Sequence, residues 1–382
     1  GGTLRPRTAR IADRVSAGVL MHGHLVIADI SGYTQFLTSS ELDHANGIIG
    51  ELLNGVIASI QAPLTVSSVE GDAVFMYGAM PEGMSGQTVL ESVELLYCAF
   101  AGALETMTLN TTCRCSACAN ISALGLKIVM HCGEFAKTEI AGRETLSGPD
   151  VIMAHRLLKN GIREELGIDD YLFLTQQCVD DLGVEAIVAG WSEHTEEYEH
   201  VGAITGYVSS LSDVWAFVQQ QNEHKIVQRD AWLSVTVHSQ APPAIVWDQI
   251  VDPIKRTRWL GANDNAVAGD IGGRIGPGAE YHCAHGEDND VVVFSVLDMR
   301  SVDYITLTIP FGGDAVMVYT DYVIPSGTGT RIVNYTAPLM SVATGEALPD
   351  DVLAETVSYT HLTLPTNTVT WGGGWGGGGV SG

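Results

Sequence analysis

Two carboxylates stand where short apolar runs of the sequence end. Asp29 follows the run 25–28, and Asp72 lies between two apolar runs, within Glu70-Gly71-Asp72. The first pattern is typical of a buried strand that ends in a tight turn, and the second is typical of a hairpin tip. Mg²⁺ prefers one or two carboxylates together with phosphate oxygens. At the ends of neighbouring strands, the two residues would therefore form a metal site able to hold a triphosphate.

Each carboxylate also has an ordinary explanation. An Asp after a strand is commonly the N-cap of the next helix, and a Gly-Asp pair is commonly only a turn. Taken singly, each residue is better explained as a helix cap or a turn residue than as a metal ligand. Only the two together, in this order, point to a specific site.

A second group of reactive side chains is the C-x-C-x-x-C segment made by Cys113, Cys115 and Cys118. It follows a predicted helix in a polar loop. Clustered thiols of this kind can ligate Zn²⁺ or an iron–sulfur cluster when a fourth ligand comes from elsewhere. His131 or Cys132 could supply it only if the loop folds back. The alternative is a solvent-exposed loop whose thiols are incidental.

Periodicity predicts the elements that position these groups. Apolar residues recur at helical spacing over 41–60 and 87–108, and a further helix is predicted over 150–160. Strands are predicted at 124–134, with 135–140 as the partner, at 171–175, and within 197–211, which closes the sheet. The resulting β-α-β-β-α-β order predicts a ferredoxin-like α+β domain.

The carboxylate segments resemble a known family. DISGYT at 29–34 and Gly71-Asp72 resemble the two metal-binding motifs of the class III nucleotidyl cyclase homology domain. KIVMHCGE at 127–134 and GPDVIMAHR at 148–156 resemble two later motifs of that family, in the same order. The resemblance spans about residues 20–215, and four ordered motifs are more specific than one. The cysteine segment resembles an insertion in an uncharacterised bacterial cyclase-like family.

The cyclase resemblance implies roles for particular residues. It implies that Asp29 and Asp72 bind Mg²⁺ or Mn²⁺ with the Ile30 carbonyl, and that Arg156 stabilises the transferred phosphate. Further nucleotide contacts are implied for Ser31, Gly32, Tyr33, Thr34 and Gly71. The family's active sites form between two subunits, so a homodimer is implied as well.

The sequence departs from the family at three positions. The second transition-state donor falls at Ile152, the base-selecting Lys at Ser68, and the base-reading Asp at Thr145. Loss of one such donor typically costs about 100–1000-fold in rate. Three interpretations stay open: a noncatalytic nucleotide or phosphate sensor, a cyclase with divergent base recognition, and a scaffold used for dimerisation.

A second domain is predicted after a polar linker at 219–227. It begins with a strand at 231–238 and a helix at 244–250, followed by strands at 280–284, 291–297, 304–309, 316–324 and 330–335. Ala241–Asp252, Trp259 and Gly278–Gly286 resemble the SRPBCC, or START-like, helix-grip fold. That resemblance implies an apolar cavity for a hydrophobic small molecule.

Composition limits the partners and the compartment. The net charge of −26 argues against binding to nucleic acid or an anionic membrane. No apolar run is long enough for a transmembrane helix, and the seven cysteines predict reduced thiols in the cytoplasm. We predict a lead-in at 1–20, the cyclase-like domain at 21–218, and the helix-grip domain at 228–357. The tail at 358–382 is predicted to be non-native, which would leave the last domain truncated.

These inferences predict a cyclase-homology protein that binds divalent metal and a nucleoside triphosphate, with weak or lost cyclase activity. Its second domain would bind a hydrophobic ligand. The alternative is a noncatalytic regulatory protein whose cyclase-like domain only dimerises.

Overall fold

The computed structural model describes residues 19–79, 83–110, 113, 115–140, 142–199, 201–220, 224–270, 272–310, 314–344 and 346–348. The predicted lead-in before residue 19, a helix predicted at 350–357 and the tail at 358–382 lie outside them. The chain divides into two compact units. The first holds the described residues of Gly1–Glu82, Ala99–Asp181 and Trp191–Leu211, and the second those of Gly83–Cys98, Leu182–Gly190 and Ser212–Gly382.

Strands and helices alternate through the first half of the chain. In order, they are β1 (Val19–Ser31), α1 (Tyr33–Ser39), α2 (Leu42–Ser59), β2 (Thr65–Glu70), β3 (Ala73–Ala79), α3 (Gly86–Asn110), α4 (Ser116–Ala119), β4 (Gly125–Ile140), β5 (Arg143–Ser147), α5 (Pro149–Leu157), α6 (Ile162–Leu166), β6 (Tyr171–Thr175), α7 (Gln176–Leu182), α8 (Glu185–Val188), β7 (Ser192–Tyr198) and β8 (Gly202–Ser210).

Antiparallel strands dominate the second half. They follow in the order α9 (Leu211–Gln220), β9 (Leu233–Ser239), α10 (Pro243–Val251), α11 (Pro253–Leu260), β10 (Asp264–Ala268), β11 (Glu280–His285), β12 (Asp290–Arg300), β13 (Tyr304–Pro310), β14 (Ala315–Ser326), β15 (Gly329–Thr336) and β16 (Met340–Ser341).

The first unit is built on one mixed sheet with the order β2-β3-β1-β4-β6-β8-β7, and β5 pairs with β4. Its centre is β1, whose apolar residues 25–28 are at most 1% exposed. Antiparallel pairing places Asp29 opposite Ala73 of β3 and opposite Lys127 of β4. The register therefore places Asp29 at the same end of the sheet as the β2–β3 turn.

Several predicted elements of this unit are confirmed, and two are corrected. The helix predicted over 41–60 is α2, and the strand over 171–175 is β6. The segments 124–134 and 135–140 do not pair, because β4 runs unbroken through Gly133 and pairs with β5. A side chain at Gly133 would lie 2.2 Å from the Asp150 carboxylate, so this glycine serves close packing rather than a turn. The segment 197–211 is divided between β7 and β8.

The second unit contains an antiparallel sheet with the order β10-β11-β12-β13-β14-β15-β9, and β16 pairs with β14. The predicted helix at 244–250 and the five later strands are confirmed within a few residues, whereas β10 was missed. The core of this unit surrounds Trp247 and Tyr281, both fully buried. The protein is therefore α+β with two large sheets.

Within the described ranges, none of the helices has both the length and the apolar character needed to cross a bilayer.

Candidate functional site

The first candidate site is a cleft at the end of β1. Asp29 lies near the end of that strand, and Asp72 lies in the turn between β2 and β3. The Ile30 backbone N–H donates a 3.2 Å hydrogen bond to the Asp72 carbonyl, which holds the turn against β1. The pairing of these strands thus brings both predicted carboxylates to one cleft.

A glycine turn shapes the wall beside the carboxylates. Gly32 has a φ of 81°, a left-handed conformation that favours glycine, and its carbonyl accepts from Phe36 N in the first turn of α1. An added Cβ at Gly32 would also lie 3.0 Å from the Ala123 carbonyl. Gly71 has a φ of 68° for the same reason, in the β2–β3 turn. Backbone geometry therefore favours glycine at both positions.

The cleft has a volume of about 400 Å³. Its lining includes most of the predicted site residues, namely Asp29, Ile30, Ser31, Gly32, Tyr33, Thr34 and Asp72. Gly71 and Arg156 are not among the lining residues. The cleft is also lined by residues that the sequence reasoning missed, namely Gln35, Lys127, Asn160, Arg163, Glu164, Asp169 and Tyr171.

Lys127 is the most informative of the missed residues. Its Nζ lies 3.1 Å from Asp29 Oδ2 and donates to the Leu158 carbonyl at 3.2 Å. The KIVMHCGE motif contains this lysine, but nothing in the motif indicated that its side chain faces Asp29. The contact follows from the strand register, which places position 127 opposite position 29 and which no local pattern of the sequence indicates.

The surroundings of Asp72 disfavour its charged form. Partial burial raises the pKa of its carboxyl above the usual value, the charge of Asp29 raises it further, and Lys127 opposes the shift. One lysine therefore faces two carboxylates in this cleft. Oxygen donors with an excess of negative charge fit a hard divalent cation such as Mg²⁺ or Mn²⁺, and Asp29 and Asp72 would hold it.

Arg156 lies away from this cleft. It is in the last turn of α5, half-buried, and its Nη1 donates to the Glu199 carbonyl at 2.6 Å. Ile152, one helical turn earlier, is 58% exposed. Within one chain, then, the predicted metal carboxylates come together and the predicted catalytic arginine does not join them.

The second candidate site is the thiol cluster. The ligand atoms of Cys113, Cys115, Cys118 and His44 all lie within 4.8 Å of one another. His44 Nδ1 is 3.2 Å from Cys115 Sγ and 3.8 Å from Cys113 Sγ. Hydrogen bonds from the backbone and thiol of Cys115 lower the pKa of the Cys113 thiol to about 7. The fourth group is therefore His44 of α2, which the sequence reasoning did not single out.

The two residues predicted as possible fourth ligands, His131 and Cys132, have other partners. His131 contacts Asp150 Oδ1 at 3.3 Å and Thr175 Oγ1 at 3.1 Å. Cys132 forms a disulfide with Cys178, which corrects the expectation of thiols throughout for this one pair. The reason is spatial, since β4 and α7 bring the two Cα atoms to 4.8 Å.

A histidine accompanies this buried disulfide. His24 Nδ1 lies 3.2 Å from Cys132 Sγ. Burial lowers the pKa of His24 to about 4, so its ring is neutral at physiological pH.

The core of the second unit contains a cation that the sequence reasoning also missed. Arg256 is fully buried, and its guanidinium lies 4.5 Å from the ring centroid of Tyr281 and 5.3 Å from that of Phe294. Its Nη1 donates to the Ile250 carbonyl at 2.9 Å. Aromatic faces and a carbonyl stabilise such a charge. Among the described residues, however, the Nε and Nη2 atoms of Arg256 have no hydrogen-bond partner. The predicted hydrophobic ligand stays a prediction.

Comparison with known proteins gives matches to parts of the chain. A model of a protein family of unknown function, DUF2652, matches residues 49–166. The uncharacterized protein Rv2561/Rv2562 of Mycobacterium tuberculosis is 28% identical over 167 residues, which are 43% of this chain and 74% of that protein.

Among solved structures, the neighbours include adenylyl and guanylyl cyclases. A bacterial light-regulated adenylyl cyclase matches over 54% of this chain and 58% of its own, at 14% identity and a TM-score of 0.38. The guanylyl cyclase Cya2 matches over 51% of this chain and 95% of its own, at 12% identity and a TM-score of 0.39. These TM-scores are too low to establish a shared fold, so the function is argued from the geometry of the site.

Proposed function

We propose that the first unit binds a nucleoside triphosphate together with Mg²⁺ or Mn²⁺ at Asp29 and Asp72. The observation that carries this proposal is the convergence of two carboxylates, from β1 and from the β2–β3 turn, on one cleft beside the Gly32 turn. The cleft volume of about 400 Å³ falls in the range of small-molecule sites.

Charge gives each group a role. A divalent cation bound at Asp29 and Asp72 would neutralise phosphate oxygens in a chain whose net charge of −26 otherwise repels them. Lys127, 3.1 Å from Asp29, orients that carboxylate and supplies a fixed positive charge. The Ile30 carbonyl and the turn residues 31–34 would contact the bound ion and phosphates.

We propose that cyclase activity is weak or lost. The positions that would select the base carry Ser68 and Thr145, and Ser68 Oγ donates instead to Glu70 Oε1 at 2.8 Å. The second transition-state donor is replaced by Ile152, whose side chain has no polar group. The remaining donor, Arg156, lies outside the cleft of its own chain. These differences should therefore impair turnover more than the binding of metal and triphosphate.

The position of Arg156 favours a homodimer. In such a dimer the arginine of one copy would reach the cleft of the other, as the cyclase resemblance implies. The exposed Ile152 on the same helix would be covered by the second copy. Sedimentation equilibrium should detect a dimer for the wild type and a weaker one for Ile152→Glu. A monomer at all concentrations would contradict the dimer without touching the proposal on binding.

The decisive experiment is calorimetry with ATP and with GTP in the presence of Mn²⁺. Wild type should release binding heat, and the double variant Asp29→Asn with Asp72→Asn should release none. Glu51→Gln on α2 is the matched control, because it makes the same chemical change at an exposed carboxylate outside the cleft. Cyclic product and pyrophosphate are measured in parallel to decide turnover.

Absence of heat in the wild type would favour the second candidate, a noncatalytic regulatory protein whose first unit only dimerises. In that protein the second unit would sense the ligand. Its predicted hydrophobic ligand is tested by displacement of a fluorescent fatty acid from the full chain. Lack of any binding by that probe would remove a fatty-acid-like ligand from consideration.

A further inference from the structure

The thiol cluster has the dimensions of a tetrahedral metal site. With Zn–S bonds of about 2.3 Å and a Zn–N bond of about 2.0 Å, ligand atoms lie about 3.5–3.8 Å apart around the ion. The distances from His44 Nδ1 to Cys115 Sγ and Cys113 Sγ are 3.2 and 3.8 Å, and all four ligand atoms fall within 4.8 Å of one another. The four ligand atoms are therefore close enough together for one ion to bind them all.

Hydrogen bonds hold α4 against the start of α2, and α2, α4 and the N-cap of α4 together carry three of the four ligands. Cys115 caps α4, and its Sγ accepts from the Cys118 backbone N–H at 3.4 Å. Glu41, just before α2, accepts from Ala117 N at 3.1 Å and from Ser116 N at 3.3 Å. His44 lies three residues after Glu41, so the same end of α2 that anchors α4 also presents the imidazole to the thiols.

We propose that Cys113, Cys115, Cys118 and His44 form a Cys₃His site for one Zn²⁺ ion, which joins α2 to Cys113 and α4. Three thiolates and one imidazole are a donor set that suits tetrahedral Zn²⁺. The thiols are free cysteines with partial or full exposure, so the ion can reach them. This proposal does not rest on the binding of a nucleotide in the carboxylate cleft.

The zinc site is continuous with one wall of the cleft. After α4 the chain forms a 3-10 turn at Ile121–Ala123, and the Ala123 carbonyl abuts Gly32 at the start of α1. An ion that fixes α4 to α2 therefore also fixes the backbone against which the Gly32 turn packs. Because metal binding contributes directly to the order of the segment that supplies the ligands, its removal should loosen this turn as well.

The first experiment measures zinc by mass spectrometry in full-length protein purified without chelator, followed by competition with a chromogenic chelator. Wild type should hold one Zn²⁺ per chain. Cys115→Ser and His44→Ala should each weaken zinc binding by more than about 100-fold, since loss of a residue that only orients a ligand already costs about 10–100-fold. His44→Cys should keep the ion by completing a four-thiolate site.

His238→Ala is the matched control, since it removes an exposed histidine outside the cluster and should leave zinc binding unchanged. Retention of zinc by Cys115→Ser, or no binding by wild type when Zn²⁺ is supplied, would overturn the site. Iron with acid-labile sulfide in place of zinc would overturn the assignment of the metal. Substitution with Co²⁺ adds an independent readout, because tetrahedral thiolate coordination gives intense visible bands.

The second experiment tests the link to the cleft by hydrogen exchange with and without zinc. Zinc removal should speed exchange in peptides covering 115–124 and 32–39, while β9 and β15 of the second unit serve as internal references. Faster exchange in the first peptide alone would overturn the link and leave the zinc site intact. This readout uses no nucleotide, so its outcome is separate from that of the binding experiment.

Discussion

The charged groups of the cleft and those inside the second unit are held in opposite ways. In the cleft, two carboxylates share one lysine, and the pKa of Asp72 is raised by burial and by its neighbour. In the second unit, Glu94 receives two hydrogen bonds from Arg274, at 2.8 and 2.7 Å. The first arrangement has an excess of negative charge that an added cation could neutralise. In the second, Arg274 of the protein itself neutralises the carboxylate.

A second carboxylate of this unit, Asp248, follows the same pattern, and a third, Glu91, is fully buried with neutral partners. Asp248 forms an ion pair with Lys255 and accepts from Ser85 N at 2.9 Å. Glu91 accepts from Trp247 Nε1 at 2.7 Å. A buried charged group with protein partners indicates a structural role. A carboxylate in an open cleft with too few cationic partners indicates a ligand. The following variants test that distinction, beginning with the largest expected effect.

Glu94→Ala should destabilise the protein by about 3 kcal/mol, because it removes the carboxylate that accepts both hydrogen bonds from Arg274. Urea denaturation measures the change in the free energy of unfolding. Glu287→Ala, at an exposed turn of the same unit, is the control and should change it by less than about 0.5 kcal/mol. Equal effects of the two variants would mean that the pair has no structural role.

Glu91→Gln should change the pH dependence of stability, with the next largest effect. Burial raises the pKa of Glu91, so its contribution is most favourable below the ordinary carboxyl pKa and is lost as pH rises through the raised value. Glutamine keeps an acceptor for Trp247 without the charge. The variant should therefore lose less stability than wild type between acidic and alkaline pH. Parallel curves of unfolding free energy against pH would contradict the assignment.

Lys127→Met should cost about 1–2 kcal/mol at neutral pH, because the side chain both faces Asp29 and donates to the Leu158 carbonyl. Mn²⁺ should restore part of that loss, since it replaces the missing positive charge. Lys159→Met, at an exposed lysine, provides the comparison and should show neither effect. A loss that Mn²⁺ leaves unchanged would argue for a purely structural lysine.

Asp72→Asn should have the smallest effect on stability and the opposite sign. The raised pKa of Asp72 means that its charged form is disfavoured in the folded state, so stability is lost as pH rises through that pKa. Removing the charge should stabilise the apoprotein at neutral pH by less than about 1 kcal/mol, because the group is partly solvated. The same variant should abolish the rise in melting temperature that Mn²⁺ gives to wild type.

An Asp72→Asn protein that still gains stability from Mn²⁺ would show that the ion binds elsewhere. An Asp72→Asn protein less stable than wild type would indicate that the carboxylate serves the turn. Glu51→Gln again supplies the control for the change from carboxylate to amide.

Local patterns were sufficient for much of the fold. The apolar run before Asp29 predicted a buried strand, and the helical spacing over 41–60 predicted α2. The pattern failed at Gly133, because a glycine that permits close packing and a glycine that forms a turn look alike in sequence. It also missed β10, a short strand whose burial alternates although its sequence does not alternate in polarity, since polar Asn265 takes an inward position.

By itself, the sequence determined which chemistry the chain could carry: two carboxylates at strand ends, and three thiols close together along the chain. Only the tertiary structure decided their partners, Lys127 beside Asp29 and His44 beside Cys115. The physical reason is that a local pattern sets an element and the face it buries, whereas a contact between distant residues depends on strand register and on how helices pack. Asp29 meets Lys127 because β1 and β4 pair in one register out of several, and His44 meets the thiols because α2 holds α4 against it.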